Sequence, residues 1–89
     1  MKPQDPQASA LAALGLAAGE AVRFRRADRS RWQPGVVSRL ERDGSIGITD
    51  ANGSARAVPL AQVQVKVRAT ARWEPLAERA ARAEQLSLL

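Results

Sequence analysis

Eighty-nine residues, with 14 Lys plus Arg against 9 Asp plus Glu and a net charge of +5, hold one domain with tails and leave a clear excess of positive charge. There is no cysteine and no histidine, which excludes disulfides, thiol chemistry and nearly every zinc site and removes the usual groups of nucleophilic and acid–base catalysis. No run approaches the ~20 apolar residues of a membrane span, so the expectation is a non-enzymatic cytoplasmic protein without metal or cofactor, whose charge suits a phosphate-bearing partner.

Residues 1–18 read as an arm, either disordered or briefly helical. Met1 to Ala8 offers two prolines, two glutamines and one charge of each sign, too little apolar surface to order itself. Ser9 is placed to cap a short helix over Ala10 to Leu14, which Gly15 ends. Asp5 and the prolines precede the apolar portion, against the pattern of a secretory signal.

The first strand is expected from Glu20 to Arg26, with Val22 and Phe24 on one face and Arg23 and Arg25 on the other. A loop then carries Arg29 and Arg31, followed by Trp32, Pro34 and Gly35. The proline marks a strand start or an edge, because inside a central strand it would lose a ladder bond. Val36, Val37 and Leu40 lie before Asp43-Gly44, and Ile46 and Ile48 lie between that turn and Asn52-Gly53. Asp-Gly and Asn-Gly between apolar runs are strong hairpin signals, since both central residues of the favoured turn need positive φ. After Val58-Pro59-Leu60, the valines at 63, 65 and 67 alternate with Gln64 and Lys66, the period of a half-buried strand. Five short strands result, with Val22, Phe24, Ile46, Ile48, Val58, Val63 and Val65 inward, and closing them into a small barrel would remove exposed edges.

The stretches Gly19 to Phe24 (Gly-Glu-Ala-Val-Arg-Phe), Trp32 to Val37, Asp43 to Ile46 and Val58 to Leu60 together resemble the SH3-like, Tudor-type barrels. The resemblance covers residues 19–68. It implies a mainly β, five-stranded barrel with a short helical turn before the fifth strand and with the first and last strands as neighbours. Such barrels bind DNA, RNA, polymerases or modified peptides, so the fold alone does not select a partner.

The residues narrow the choice. Seven arginines stand between Val22 and Arg42 against Asp28 and Glu41. With Lys66 and Arg68 on the outward face of the last strand, Arg23, Arg25, Arg29 and Arg31 would form a basic surface touching phosphates and sugars with little sequence information. Trp32 either packs over the barrel end or offers a flat surface for a base. A cage for a methylated cation needs several aromatic rings, which Phe24 and Trp32 alone do not supply. The acids Glu41, Asp43 and Asp50 fall at or beside turns, where carboxylates serve backbone hydrogen bonding.

Residues 69–89 read as a linker, a helix and a tail. Trp73-Glu74-Pro75 is expected to open the helix, with proline at its first position and acids near its positive end. The chain ends Gln85-Leu86-Ser87-Leu88-Leu89, which resembles the bacterial sliding-clamp-binding pentapeptide Gln-Leu-Ser/Asp-Leu-Phe, with leucine in place of the final phenylalanine. That resemblance implies Gln85 in a polar pocket, Leu86 along the groove, and Leu88 with Leu89 in a hydrophobic pocket. Three leucines near a chain end are also poor surface design unless something covers them. The expectation is therefore a monomeric, nucleoid-associated accessory protein of bacterial DNA replication or repair, bound to the β sliding clamp by its tail and weakly to DNA or a protein through its barrel. The alternatives are a Tudor-like adaptor for RNA polymerase or another protein, and an RNA-contacting barrel.

Overall fold

The structure is a computed structural model that describes residues 5–87. It opens with α1 (Pro6–Ala13), which starts earlier than the sequence reading placed it. Asp5, not Ser9, is the N-cap: its carboxylate accepts from the Gln7 N–H at 3.0 Å, and Pro6 sits in the first turn where it costs no hydrogen bond. At the other end Gly15 has φ 76°, and the N–H groups of Leu16 and Gly15 reach back to the carbonyls of Leu11 and Ala12 at 2.9 Å each. This is the Schellman arrangement, and its apolar partners Leu11 and Leu16 are both buried. The Gln7 side chain pairs with both backbone groups of Leu40, donating at 3.3 Å and accepting at 2.9 Å. The arm thus lies on the sheet and supplies Leu11 to the core.

The chain is mainly β. The strands β1 (Ala21–Phe24), β2 (Gln33–Leu40), β3 (Ile46–Asp50), β4 (Ala55–Val58), β5 (Val63–Lys66) and β6 (Trp73–Pro75) form one antiparallel sheet in the order β4-β3-β2-β1-β5-β6. A 3-10 turn (Leu60–Gln62) precedes β5. The glycines of the two sequence-predicted turns, Gly44 and Gly53, have φ of 89° and 82°, as those hairpins require.

All seven residues expected inward are buried, and Val37, Leu11, Leu16 and Leu76 join them. Each such aliphatic side chain contributes about 1.5–3 kcal/mol on leaving water. Simple alternation would not turn both Val37 and Leu40 toward this core. The β2–β3 register shifts between Val37 and Arg39, so Ser38 is an extra residue that resets the pleat. Leu40 can then oppose Ile46 on the same face as Val37 and Ile48.

The structure differs from the five-stranded expectation in two respects. Trp73-Glu74-Pro75 forms a sixth strand on β5, with Lys66 opposite Trp73 and Gln64 opposite Pro75, and the helix α2 (Leu76–Ser87) begins only after it. The sheet is also open. β6 occupies the outer side of β5, and β4 and β6 remain its two edges.

α2 lies against β5, β6, the 3-10 turn and α1, with Leu76 fully buried at its root. Arg79 fastens it. Its guanidinium donates to Glu20 and to the Lys66 carbonyl (3.0 Å), and lies 3.6 Å from the Glu74 carboxylate. Arg82 donates to the same Glu74 carboxylate at 2.6 Å, and that bond holds the Glu74 carboxyl below its ordinary range. Among the described residues no helix is long and apolar enough to cross a membrane.

Candidate nucleic-acid interface

The outer sheet face, opposite the core, gathers the charge and the tryptophans. Alternation along β1 sends Val22 and Phe24 inward and Arg23 outward, and the β1–β5 register sets Arg23 directly opposite Gln64. Arg23 Nε donates to Gln64 Oε1 at 2.7 Å, which holds the guanidinium over the sheet. From there it reaches both tryptophans: its central carbon lies 4.9 Å from the Trp32 ring centre and 4.8 Å from that of Trp73. Trp32 comes from the β2 side and Trp73 from β6, with β1 and β5 between them.

A second cation stacks on each ring. Arg25 lies 4.4 Å from the Trp32 centre, and the Lys66 ammonium 5.9 Å from that of Trp73. Such contacts are worth about 0.5–1 kcal/mol each at exposed sites, enough to orient side chains but not to lock them. Arg25 is held in addition by Gln62, to whose Oε1 it donates at 3.0 Å, while Gln62 Nε2 donates to Asp28 at 2.7 Å. Asp28 is exposed and 3.9 Å from Arg25, so it offsets part of that charge at the rim.

Of the sequence-predicted residues, Arg23, Arg25, Lys66 and Trp32 therefore form one cluster. Arg29 and Arg31 stand exposed in the β1–β2 loop, and Arg68 stands exposed in the β5–β6 loop; none has a carboxylate partner among the described residues. The two loops lie at opposite ends of the β1–β5 pair, and the ring contacts described above are made by Arg23, Arg25 and Lys66. Trp73, which the sequence pattern places at the start of a helix, is a further member of this cluster. Its signal in the sequence is position alone, seven residues beyond the Lys66 it faces across a hairpin.

Elsewhere the charged groups serve the fold. Asp50 accepts from the Ser54 and Asn52 N–H groups at 3.0 and 2.9 Å and from Arg56 at 3.0 Å. The Ser54 backbone bond, and then Arg56, hold its carboxyl below the usual range, so Asp50 is the knot of the β3–β4 turn. Asp43 does the same for the preceding turn, lowered chiefly by the Ser45 hydroxyl that donates to it at 2.6 Å. Among the described residues no group of three or more acids gathers where a metal ion could sit.

Of the terminal pentapeptide, Gln85 and Leu86 lie in the last turn of α2 and are exposed, Leu86 by 70%. Ser87 is the last residue of that helix, and Leu88 and Leu89 lie outside the described residues. Compared with protein-family models, curated proteins and solved structures, the chain matches none of them.

Proposed function

We propose that this is a non-enzymatic accessory protein of bacterial DNA replication or repair, which holds nucleic acid on the outer face of its sheet and is tethered to the β sliding clamp by Gln85 to Leu89. The observation that carries the reading is the convergence of Arg23, Arg25 and Lys66 with two surface tryptophans on one face. Cations supply phosphate contacts that need no sequence, and flat rings add stacking. The run β1 to β5, with its 3-10 turn before β5 and β1 beside β5, supports reading residues 19–68 as an SH3-like, Tudor-type module that carries a sixth strand.

The tail reading is supported by the exposure of Gln85 and Leu86 at the free end of α2. An apolar side chain held out in this way is most economically explained by a partner that covers it. Tail and sheet would each bind weakly and reinforce each other through effective concentration.

Two titrations test the proposal. Replacing Arg23 and Arg25 by Gln should weaken DNA binding for all sequences and lower its salt slope by roughly one to two. Purified clamp should bind the full chain with a dissociation constant on the order of micromolar and should not bind a chain stopped at Glu84. No binding of DNA at low salt would refute the first half, and equal clamp binding by both chains the second. Val36, 42% exposed on the same outer face, favours the adaptor reading for RNA polymerase or another protein. Its replacement by Thr should leave DNA binding unchanged and would weaken only a protein contact.

A further inference from the structure

We infer that the outer face is a stacking site for single-stranded nucleic acid, in which unpaired bases lie on Trp73 and Trp32 while the cations around them take the phosphates. This rests on the nucleic-acid reading above and narrows it to one class of ligand.

Three observations carry it. The first is how the chain spends its aromatic residues. It has two tryptophans, one phenylalanine and no tyrosine. A domain this small is short of core, and a tryptophan is the largest apolar side chain available to fill it. Yet the core is aliphatic except for Phe24, and neither indole belongs to it: Trp32 is half-buried and Trp73 has 36% of its area exposed. The second is placement. Residues 41 apart in sequence bring the two rings to one guanidinium, through a β-hairpin whose last strand is only three residues long. Fixing Trp73 on the sheet is the most evident consequence of that strand.

The third is chemistry. A nucleobase presents a π face to a ring and an amide-like edge to donors and acceptors. Here Gln64, whose oxygen accepts from Arg23 at 2.7 Å, places a side-chain amide beside the rings. Lys66 lies at the Trp73 ring, and Arg29, Arg31 and Arg68 are exposed in the loops that follow β1 and β5, so cations for the backbone stand at both ends of the strand pair. A duplex hides its base faces in its own stack and would use only these cations. A single strand uses both cations and rings, which makes it the ligand complementary to the whole surface. Arg23 stacks on both indoles in the free protein. When a base takes its place on a ring, the guanidinium gives up only its weak ring contacts and can turn its free N–H groups to a phosphate while keeping the Nε bond to Gln64.

The experiment uses the intact protein and its own fluorescence, since Trp32 and Trp73 are its only tryptophans. Oligo-dT and oligo-rU of about 15 nucleotides, a duplex of the same length, and an acidic poly-Glu peptide of matched charge are titrated at one fixed salt concentration. Single strands should quench the emission and bind about tenfold or more tighter than the duplex; the two sugars then show whether DNA or RNA is preferred. Trp73→Leu should reduce single-strand affinity about tenfold and duplex affinity by a clearly smaller factor, while Trp73→Phe should retain most of the single-strand affinity. Melting curves of both variants report whether Trp73 serves only to staple β6, and the quenching of the parent protein needs no variant at all. Salt-dependent binding in which duplex and single strand are equal and Trp73→Leu changes neither would overturn the stacking site while leaving the proposed function standing. Binding of poly-Glu with no binding of any nucleic acid would overturn both.

Discussion

Gly35→Ala tests the sheet register on which the interface depends. Gly35 lies in β2 between Val22 on β1 and Asp50 on β3, facing the core. A Cβ built there would stand 2.4 Å from Ile48 Cγ2 and 3.0 and 3.2 Å from two ring carbons of Phe24. Carbon atoms prefer about 3.5–4.0 Å, so the methyl overlaps Ile48 by more than an ångström. Neither neighbour can step aside, because Ile48 is 0% and Phe24 2% exposed. Overpacking of this kind costs about 1–3 kcal/mol, and the stiffer alanine returns about 0.5–1 kcal/mol in a strand. A severe overlap places the net loss near 2 kcal/mol, or about 8–16 °C in melting temperature for a domain of this size. Gly47→Ala is the control. Its methyl would meet Arg39, Glu41 and Ser38 at 2.7 to 3.0 Å, but these are side chains on the solvent face, with Arg39 56% exposed. They can move, and the change should be close to neutral. Urea and thermal unfolding of both variants decide the matter: equal stability of parent and Gly35→Ala, or a greater loss in Gly47→Ala, would show that the two faces of the sheet have been exchanged.

Three further outcomes are expected. Arg79→Met keeps the stem and removes the bonds to Glu20 and to the Lys66 carbonyl; it should destabilise by about 1–2 kcal/mol and lower helix content by circular dichroism, whereas an unchanged melt would show that α2 is held by Leu76 alone. Asp50 binds its proton less readily folded than unfolded, so its stabilisation is complete above about pH 4 and is lost as the pH falls below that through the lowered native value. The stability gap between parent and Asp50→Asn should therefore be widest near neutrality and close in acid; a gap independent of pH would rule out the charge on Asp50 as its source. Ala71 has φ 57°, and Ala71→Gly should raise stability by about 0.5–1 kcal/mol, the relief of left-handed strain less the added chain entropy; a loss of stability in denaturant titration would contradict this.

What the sequence made legible follows from which signals are local. Asp43-Gly44 and Asn52-Gly53 announce their hairpins because glycine is the residue that takes positive φ there without strain. The β5–β6 hairpin has the same need but meets it with Ala71, in a loop closed by the Val67 N–H to the Arg72 carbonyl at 2.7 Å. Without glycine or asparagine, Pro75 looked like the first residue of a helix, and Trp73 went with it. Strand alternation identified the inward valines and isoleucines but not Val37 with Leu40, because a bulge at Ser38 leaves no compositional mark. The sequence reading takes Ser9 as the cap of α1, but the structure caps it at Asp5. Asp5 wins because Pro6 follows it and Gln7 can then pair with Leu40, a contact 33 residues away that no local pattern encodes. The interface was half legible for the same reasons. Arg23, Arg25 and Lys66 follow from alternation, whereas their meeting with two indoles depends on β6.

Under the proposed function, β6 also joins the two binding elements. It carries Trp73, which stacks on Arg23, and next to it Glu74, which ties down Arg79 and Arg82 of α2. The root of the helix is thereby fixed to the nucleic-acid face. The rise from Leu76 to Gln85 within α2, at about 1.5 Å per residue, places the start of the tail ~14 Å from that root. A rod of set length and direction raises the effective concentration of one site for the other only where clamp and strand present themselves at that separation, whereas a flexible linker would tolerate many. Weakening Glu74 should therefore leave each isolated affinity intact and reduce their joint gain. A Glu74→Gln chain that still bound a clamp–oligonucleotide assembly as tightly as the parent would show that the helix acts only as a tether.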